Sequence, residues 1–417
     1  MDAKDVKDAI AGTVSGARER LTGLSHRLHA HPEVAWHEEH AAAWVAAELA
    51  DAGFTVETNA CGLPTAFIAR AGTGPLHVGI CAEYDALPGL GHACGHNIIA
   101  AAAVGAGLAL AAAADELGLT VTVFGTPAEE GGGGKVYMLE RGAFDGVHAA
   151  MMVHPGPVDV AEARPFAVSH LLVRFQGQAT HAAAYPEQGV NAADAFTIAQ
   201  VAIGLLRQQL LPSTRVHGVV THGGDAPNII PDRTRGRWYV RAGTLQELAG
   251  LEPRVRRCFE AGALATGCDL HIETEAPPYA EFRNDPGLLP LYRANAERLG
   301  RRFVLDAPSG PDSPAGPDGA AGAGPGGPGS AADLALAGRM NRASTDMGNV
   351  SLVLPAIHPY IGIGSLPAVN HQQAFAAHCV TPAADQALID GAIGLAWTAA
   401  DAAGDDAIRG RLLGGVP

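Results

Sequence analysis

The chain is poor in the features that mark several large protein classes. Only six cysteines occur in 417 residues, at 61, 81, 94, 258, 268 and 379, and no two of them form a CxxC pair. That usage builds no disulfide framework and fits a reducing compartment. Basic residues are scarce, 28 Lys and Arg against 43 Asp and Glu, giving a net charge of −15. A duplex-binding surface needs a basic cluster to displace counterions, and none is present, so nucleic acid is not an expected partner. The first ten residues, MDAKDVKDAI, contain no apolar stretch of the kind a secretory leader requires. Residues 98–114 contain no polar side chain and are mostly Ala and Gly. A spanning helix wants about 20 strongly apolar residues, so this run is read as a buried helix. The expectation is a cytoplasmic protein with no membrane segment.

What is present is material for a large core. Apolar residues make up 47% and charged residues only 17%, which argues against disorder. A chain of this length predicts two domains, or one large domain carrying an insertion. From about residue 38, a helical pattern is followed by short β-like runs (FTVET, TAFIAR, LHVGICA), the Ala-rich helix, and the strand LTVTVFGT. The helix GKVYMLERGAF and the strand VHAAMMVH come next. This alternation predicts an α/β domain over 1–165, resumed over 278–417 and closing on a helix near 382–402. Residues 166–277 change rhythm to β-α-β-β-α-β, the order of a ferredoxin-like unit. The Pro/Gly/Ala-rich stretch 307–330 has no periodicity and is expected to be a flexible loop.

Chemistry-bearing residues follow predicted strands. Tyr84-Asp85-Ala-Leu-Pro and His92-Ala-Cys94-Gly-His96-Asn97 lie where a buried strand gives way to a helix. Ligands bind at strand ends in α/β sheets. A thiolate and an imidazole two residues apart in a turn suit Zn and similar divalent ions. The bland alternative is a buried cysteine beside a helix-capping histidine. Glu129 and Glu130 follow the next strand, where adjacent carboxylates raise each other's pKa unless a cation is near. One can ligate while the other faces a reacting water. His154 stands at a strand end and His358 in an apolar context, places in which a lone histidine is usually a core residue. Their concurrence with the other pairs favours one shared site. In the middle segment His181, Asn228 and Arg241 stand out. Turn chemistry, or for Arg241 simple exposure, is the alternative for each.

The ordered motifs YDALP, ACGHN, PAEE, VHP, GxxxHAA, NIIPD, STDMGNVS and IHP resemble a family of dinuclear metallopeptidases. That family includes aminoacylase, carboxypeptidase G and the hippurate and auxin-conjugate amidohydrolases. AEYDALPGLGHACGHN and STDMGNVS are most similar to its aminobenzoyl-glutamate hydrolase and β-alanyl-dipeptide hydrolase branch. The resemblance implies a central mixed sheet flanked by helices with an inserted lid that also makes a homodimer. It implies two divalent ions, Zn, Mn or Co, held by Cys94, His96, Glu130, His154 and His358, with Cys94 bridging. Glu129 is then the general base, Asp85 orients a ligand, His181 binds the oxyanion, and Asn228 and Arg241 hold the substrate. Asn97 and Glu83 depart from the commoner Asp at those positions. The implied activity is hydrolysis of N-acyl amino acids or short dipeptides. A catalytically silent, ligand-binding member is the rival reading, but such a chain should have lost its base or a ligand. A nucleotide-binding oxidoreductase fits poorly, because Gly105-Ala-Gly107 lies inside a helical run and follows no strand.

Overall fold

The computed structural model describes residues 3–303 and 343–414, so the expected loop at 307–330 lies outside the described residues. The chain divides into two compact units, residues 1–164 with 282–417, and residues 165–281.

The first unit is built on a six-stranded mixed sheet. Its strands are β1 (Thr55–Thr58), β2 (Phe67–Ala71), β3 (Leu76–Ala82), β4 (Leu119–Gly125), β5 (Ala149–Met151) and β11 (Ala356–Ile357), in the order β1-β2-β4-β3-β5-β11. β4, β3, β5 and β11 run parallel, while at one edge β2 pairs antiparallel with β4 and β1 antiparallel with β2. Two further short strands, β6 (His154–Gly156) and β12 (Tyr360–Gly362), pair in parallel, with His154 opposite Tyr360. The expected strand over 147–154 is thus split in two at Met152-Val153.

The Ala-rich segment forms the helix His96–Ala112, buried along nearly its whole length. Alanine is the best helix former, and its small side chain lets neighbouring backbones come close. The helix Pro382–Gly404, likewise Ala-rich and capped by Thr381, packs in the same core. Leu21, Val45, Val104, Val121 and Leu388 meet there, all fully buried. Each such side chain contributes about 1.5–3 kcal/mol by leaving water. No described helix is long and apolar enough to cross a membrane.

The second unit has the order β-α-β-β-α-β. Strands β7 (Ala167–Gln176), β8 (Arg215–His222), β9 (Arg233–Ala242) and β10 (Asp269–Tyr279) form an antiparallel sheet in the order β10-β7-β9-β8. Alternate residues Leu171, Val173 and Phe175 of β7 join Trp238 and Val240 of β9 against Phe196, Val255 and Phe259 of the two helices. Those helices, Ala192–Leu206 and Leu245–Thr266, start on Asn191 and Thr244, whose side chains accept backbone N–H groups and so cap them.

Candidate metal centre

The parallel strands of the first unit end at one edge of the sheet, and each hands a polar residue to that edge. β3 runs into Glu83-Tyr84-Asp85, β4 into Pro127-Ala128-Glu129-Glu130, and β5 leads through Met152-Val153 to His154. The register sets Ala82 opposite Gly125, so the two acidic segments leave the sheet side by side. Cys94 and His96 come from the turn that opens the helix His96–Ala112. Gly95 between them has φ +82, and a Cβ there would lie 2.4 Å from Pro155 Cγ. Only glycine brings the thiol and the imidazole to the same side at this close approach.

Three groups of donor atoms converge, each within 4.8 Å: Cys94, His96 and His154; Cys94, Glu130 and His371; and Glu83, His96 and Glu129. Cys94 belongs to two of them. Its sulfur lies 3.5 Å from His154 Nε2. His154 Nδ1 donates to the Pro155 carbonyl at 2.8 Å, which leaves Nε2 facing the cysteine. Asp85 performs the same service for His96, accepting from its Nδ1 at 3.0 Å. The other oxygen of Asp85 accepts the Glu130 N–H at 2.9 Å. One carboxylate therefore fixes the orientation of two of the converging residues.

The electrostatics are those of an anionic cavity. His96 Nε2 is fully buried and makes no hydrogen bond among the described residues. Yet carboxylate oxygens of Glu83, Glu129 and Glu130 stand 3.5, 3.8 and 4.0 Å from it. Burial, then the Glu83 and Glu130 charges, push Glu129 well above the usual carboxylate range. Burial and Glu130 both oppose ionisation of Cys94, but His154 and His371 outweigh them and pull the thiol down to about 6. His371 is raised to about 11, chiefly by Cys94. Thiolate, imidazole and carboxylate donors crowded in this way suit divalent cations, and the lone buried nitrogen of His96 is an open donor position for one.

Behind the cavity lies a buried ion cluster. Lys135 Nζ sits 2.6 Å from Glu83 and 2.7 Å from Asp346, all three inaccessible to solvent. Asp346 also accepts the Lys135 backbone N–H at 2.9 Å. The STDMGNVS segment is thereby tied to the glycine-rich turn after Glu130.

Cys94, His96, Glu129, Glu130, His154 and Asp85 are thus brought together. His358 is near but falls outside the three converging groups. Its ring stacks on His154 with centroids 5.5 Å apart, among Tyr360 and Phe282. Burial then lowers its pKa to about 3. His371, which sequence reasoning passed over, stands within 3.5 Å of Glu130. It sits at φ +68 and donates its N–H to the Ala93 carbonyl at 2.8 Å. No spacing rule points to a histidine in LPAVNHQQ; only its place in a Pro- and Asn-containing turn marks it.

His181, Asn228 and Arg241 belong to the second unit. His181 Nδ1 accepts the N–H groups of Ala183 and Ala184 at 3.3 and 3.2 Å, which leaves Nε2 as the donor of this exposed residue. Asn228 is its neighbour, its carbonyl accepting the Ala182 N–H at 3.0 Å. Arg241 Nε donates to His217 Nε2 at 3.2 Å.

Comparison with known proteins gives the family of the chain. Residues 79–325 match the model of peptidase family M20/M25/M40. The chain is 39% identical to the Xaa-Arg dipeptidase of Mus musculus, over 95% of this chain and 88% of that one. It is 34% identical to a polypeptide of the p-aminobenzoyl-glutamate hydrolase of Escherichia coli, over 62% of this chain and 58% of that one. Its fold matches that of a dinuclear metal binding peptidase, the YXEP protein of Bacillus subtilis, with a TM-score of 0.60 at 21% identity, covering 91% of this chain and 98% of that one. The chain belongs to peptidase family M20/M25/M40 and is a hydrolase of amide bonds with side chains grouped to hold metal.

Proposed function

We propose that this hydrolase cleaves the amide bond of a short dipeptide or N-acyl amino acid, using two divalent ions held by Cys94, His96, Glu130, His154 and His371. The observation that carries the reading is the membership of Cys94 in two separate groups of converging donors. A thiolate shared in that way is suited to bridge two cations. His371 replaces His358 in the ligand set because it converges with Cys94 and Glu130, while His358 belongs to none of the three groups.

When bound, the ions supply the acidity that makes a water nucleophilic at neutral pH and polarise the substrate carbonyl. The protein's own groups do the rest. Glu129, whose raised affinity for protons suits a general base, takes the water proton and passes it to the leaving nitrogen. Asp85 holds His96 and the Glu130 backbone in register. His181 donates from Nε2 to the oxyanion, and Asn228 and Arg241 hold the substrate carbonyl and carboxylate. The insertion acts as a lid and as the dimer interface.

Among substrates, a dipeptide is favoured over aminobenzoyl-glutamate, because the dipeptidase relative matches almost the whole chain and the aminobenzoyl-glutamate relative less than two thirds of it. The test is release of free amine from a panel of dipeptides with C-terminal Arg, Lys or neutral residues, aminobenzoyl-glutamate and N-acyl amino acids, with Zn, Mn or Co. Glu129→Gln is the control. It should keep the metals and lower kcat by on the order of 10²–10⁴. Turnover by that variant near the parent rate removes Glu129 as the base.

A further inference from the structure

The turn that presents Glu129 is strained. Ala128, immediately before it, has φ +56, and Trp36, ninety-two residues earlier in the chain, has φ +68. Non-glycine residues occupy this left-handed region only when their surroundings hold them there. Both donate their backbone N–H to one atom, Glu38 Oε1, at 2.8 Å from Ala128 and 3.0 Å from Trp36. The second oxygen, Glu38 Oε2, accepts the Thr65 hydroxyl at 2.8 Å.

Glu38 is fully buried and has no Lys or Arg partner among the described residues. A buried carboxylate without a cation is costly and persists where its hydrogen bonds hold something in place. The turn is gripped from its other side as well. The Ala128 carbonyl accepts the N–H groups of Gly132 and Gly133 at 3.0 and 2.8 Å. Gly132 packs so closely that a Cβ there would lie 2.5 Å from Ala128 Cβ and 2.8 Å from Trp36 Nε1. Turn, indole and carboxylate form one packed body.

We infer that Glu38 is a positioning residue for catalysis: its Oε1 clamps the backbones of Trp36 and Ala128 and thereby sets the direction in which Glu129 points. It touches no reacting atom. The inference rests on the reading of Glu129 as the base, since what it explains is how that carboxylate is aimed.

The experiment compares Glu38→Leu, Glu38→Gln and Glu38→Asp in the metal-loaded protein. The leucine variant removes the acceptor, and displacement of a catalytic group by about 1 Å costs on the order of 10²-fold in rate. Its kcat should fall by that factor with KM little changed and metal content intact. Glutamine keeps an acceptor oxygen and should recover most of the loss. Aspartate keeps the carboxyl group but is one methylene short, and should resemble leucine. Adding Ala128→Gly to the leucine variant should restore part of kcat, because glycine holds φ +56 without a clamp. Amide exchange at Ala128 should be slow in the parent and faster in the leucine and aspartate variants. If the leucine variant does not fold, the aspartate and glutamine pair decides. Unchanged Ala128 exchange, or parent-like kcat in the aspartate variant, overturns the clamp. An active Glu129→Gln with a protected Ala128 amide overturns the base reading instead and leaves the clamp standing.

Discussion

Cys94 and His371 are the residues on which the metal centre turns. Cys94→Ala removes a donor from two converging groups at once, so bound metal should fall for both ions by elemental analysis. Unchanged stoichiometry would take Cys94 out of the ligand set. His371→Ala should lose metal, whereas His358→Phe, which replaces a buried ring with a ring, should keep it. The opposite result would restore His358 to the ligand position. Proton bookkeeping gives a second test at this scale. Without cations, His371, raised to about 11 chiefly by Cys94, holds its proton at neutral pH, and burial with the neighbouring carboxylates raises the proton affinity of Glu129. Cations favour the deprotonated forms of both, so loading must release protons. Affinity should therefore rise with pH, and calorimetry in buffers of different ionisation enthalpy should show net release. Proton uptake on loading would contradict the assignment.

Among the elements, the strand ends matter most, and Lys135 fastens them. Its ammonium joins Glu83 after β3 to Asp346 at the start of the helix Met347–Val353. Removing one partner of a buried cluster strands the others in low dielectric. Lys135→Met should thus destabilise the metal-loaded protein by about 3–5 kcal/mol, read as a lower denaturant midpoint. A midpoint within error of the parent would show that the cluster is not held as described. The strands that end at the site were legible beforehand, because buried apolar runs such as LTVTVFGT bounded by turn residues admit few other readings. The break of the 147–154 run into β5 and β6 was not, since nothing in HAAMMVHP signals where pairing changes partner.

For the whole molecule, the expectation is a homodimer through the second unit. Val201, Leu205 and Leu264 on its two helices are 60, 62 and 88% exposed, an apolar set suited to a second copy. Sedimentation should find a dimer, and Val201→Asp with Leu205→Asp should shift it toward monomer. A parent chain that sediments as a monomer at micromolar concentration would rule the interface out.

The sequence by itself determined the α/β class, the strand-end positions of Cys94, His96, Glu129, Glu130 and His154, and the family, because local periodicity and short spacings survive in one dimension. Tertiary structure decided the rest. His371 reaches the site only when a late turn hydrogen-bonds to Ala93, and Glu38 meets Ala128 across ninety residues of chain. Contacts of that kind are set by how the sheet and its loops close in space, and no local pattern of residue types encodes them.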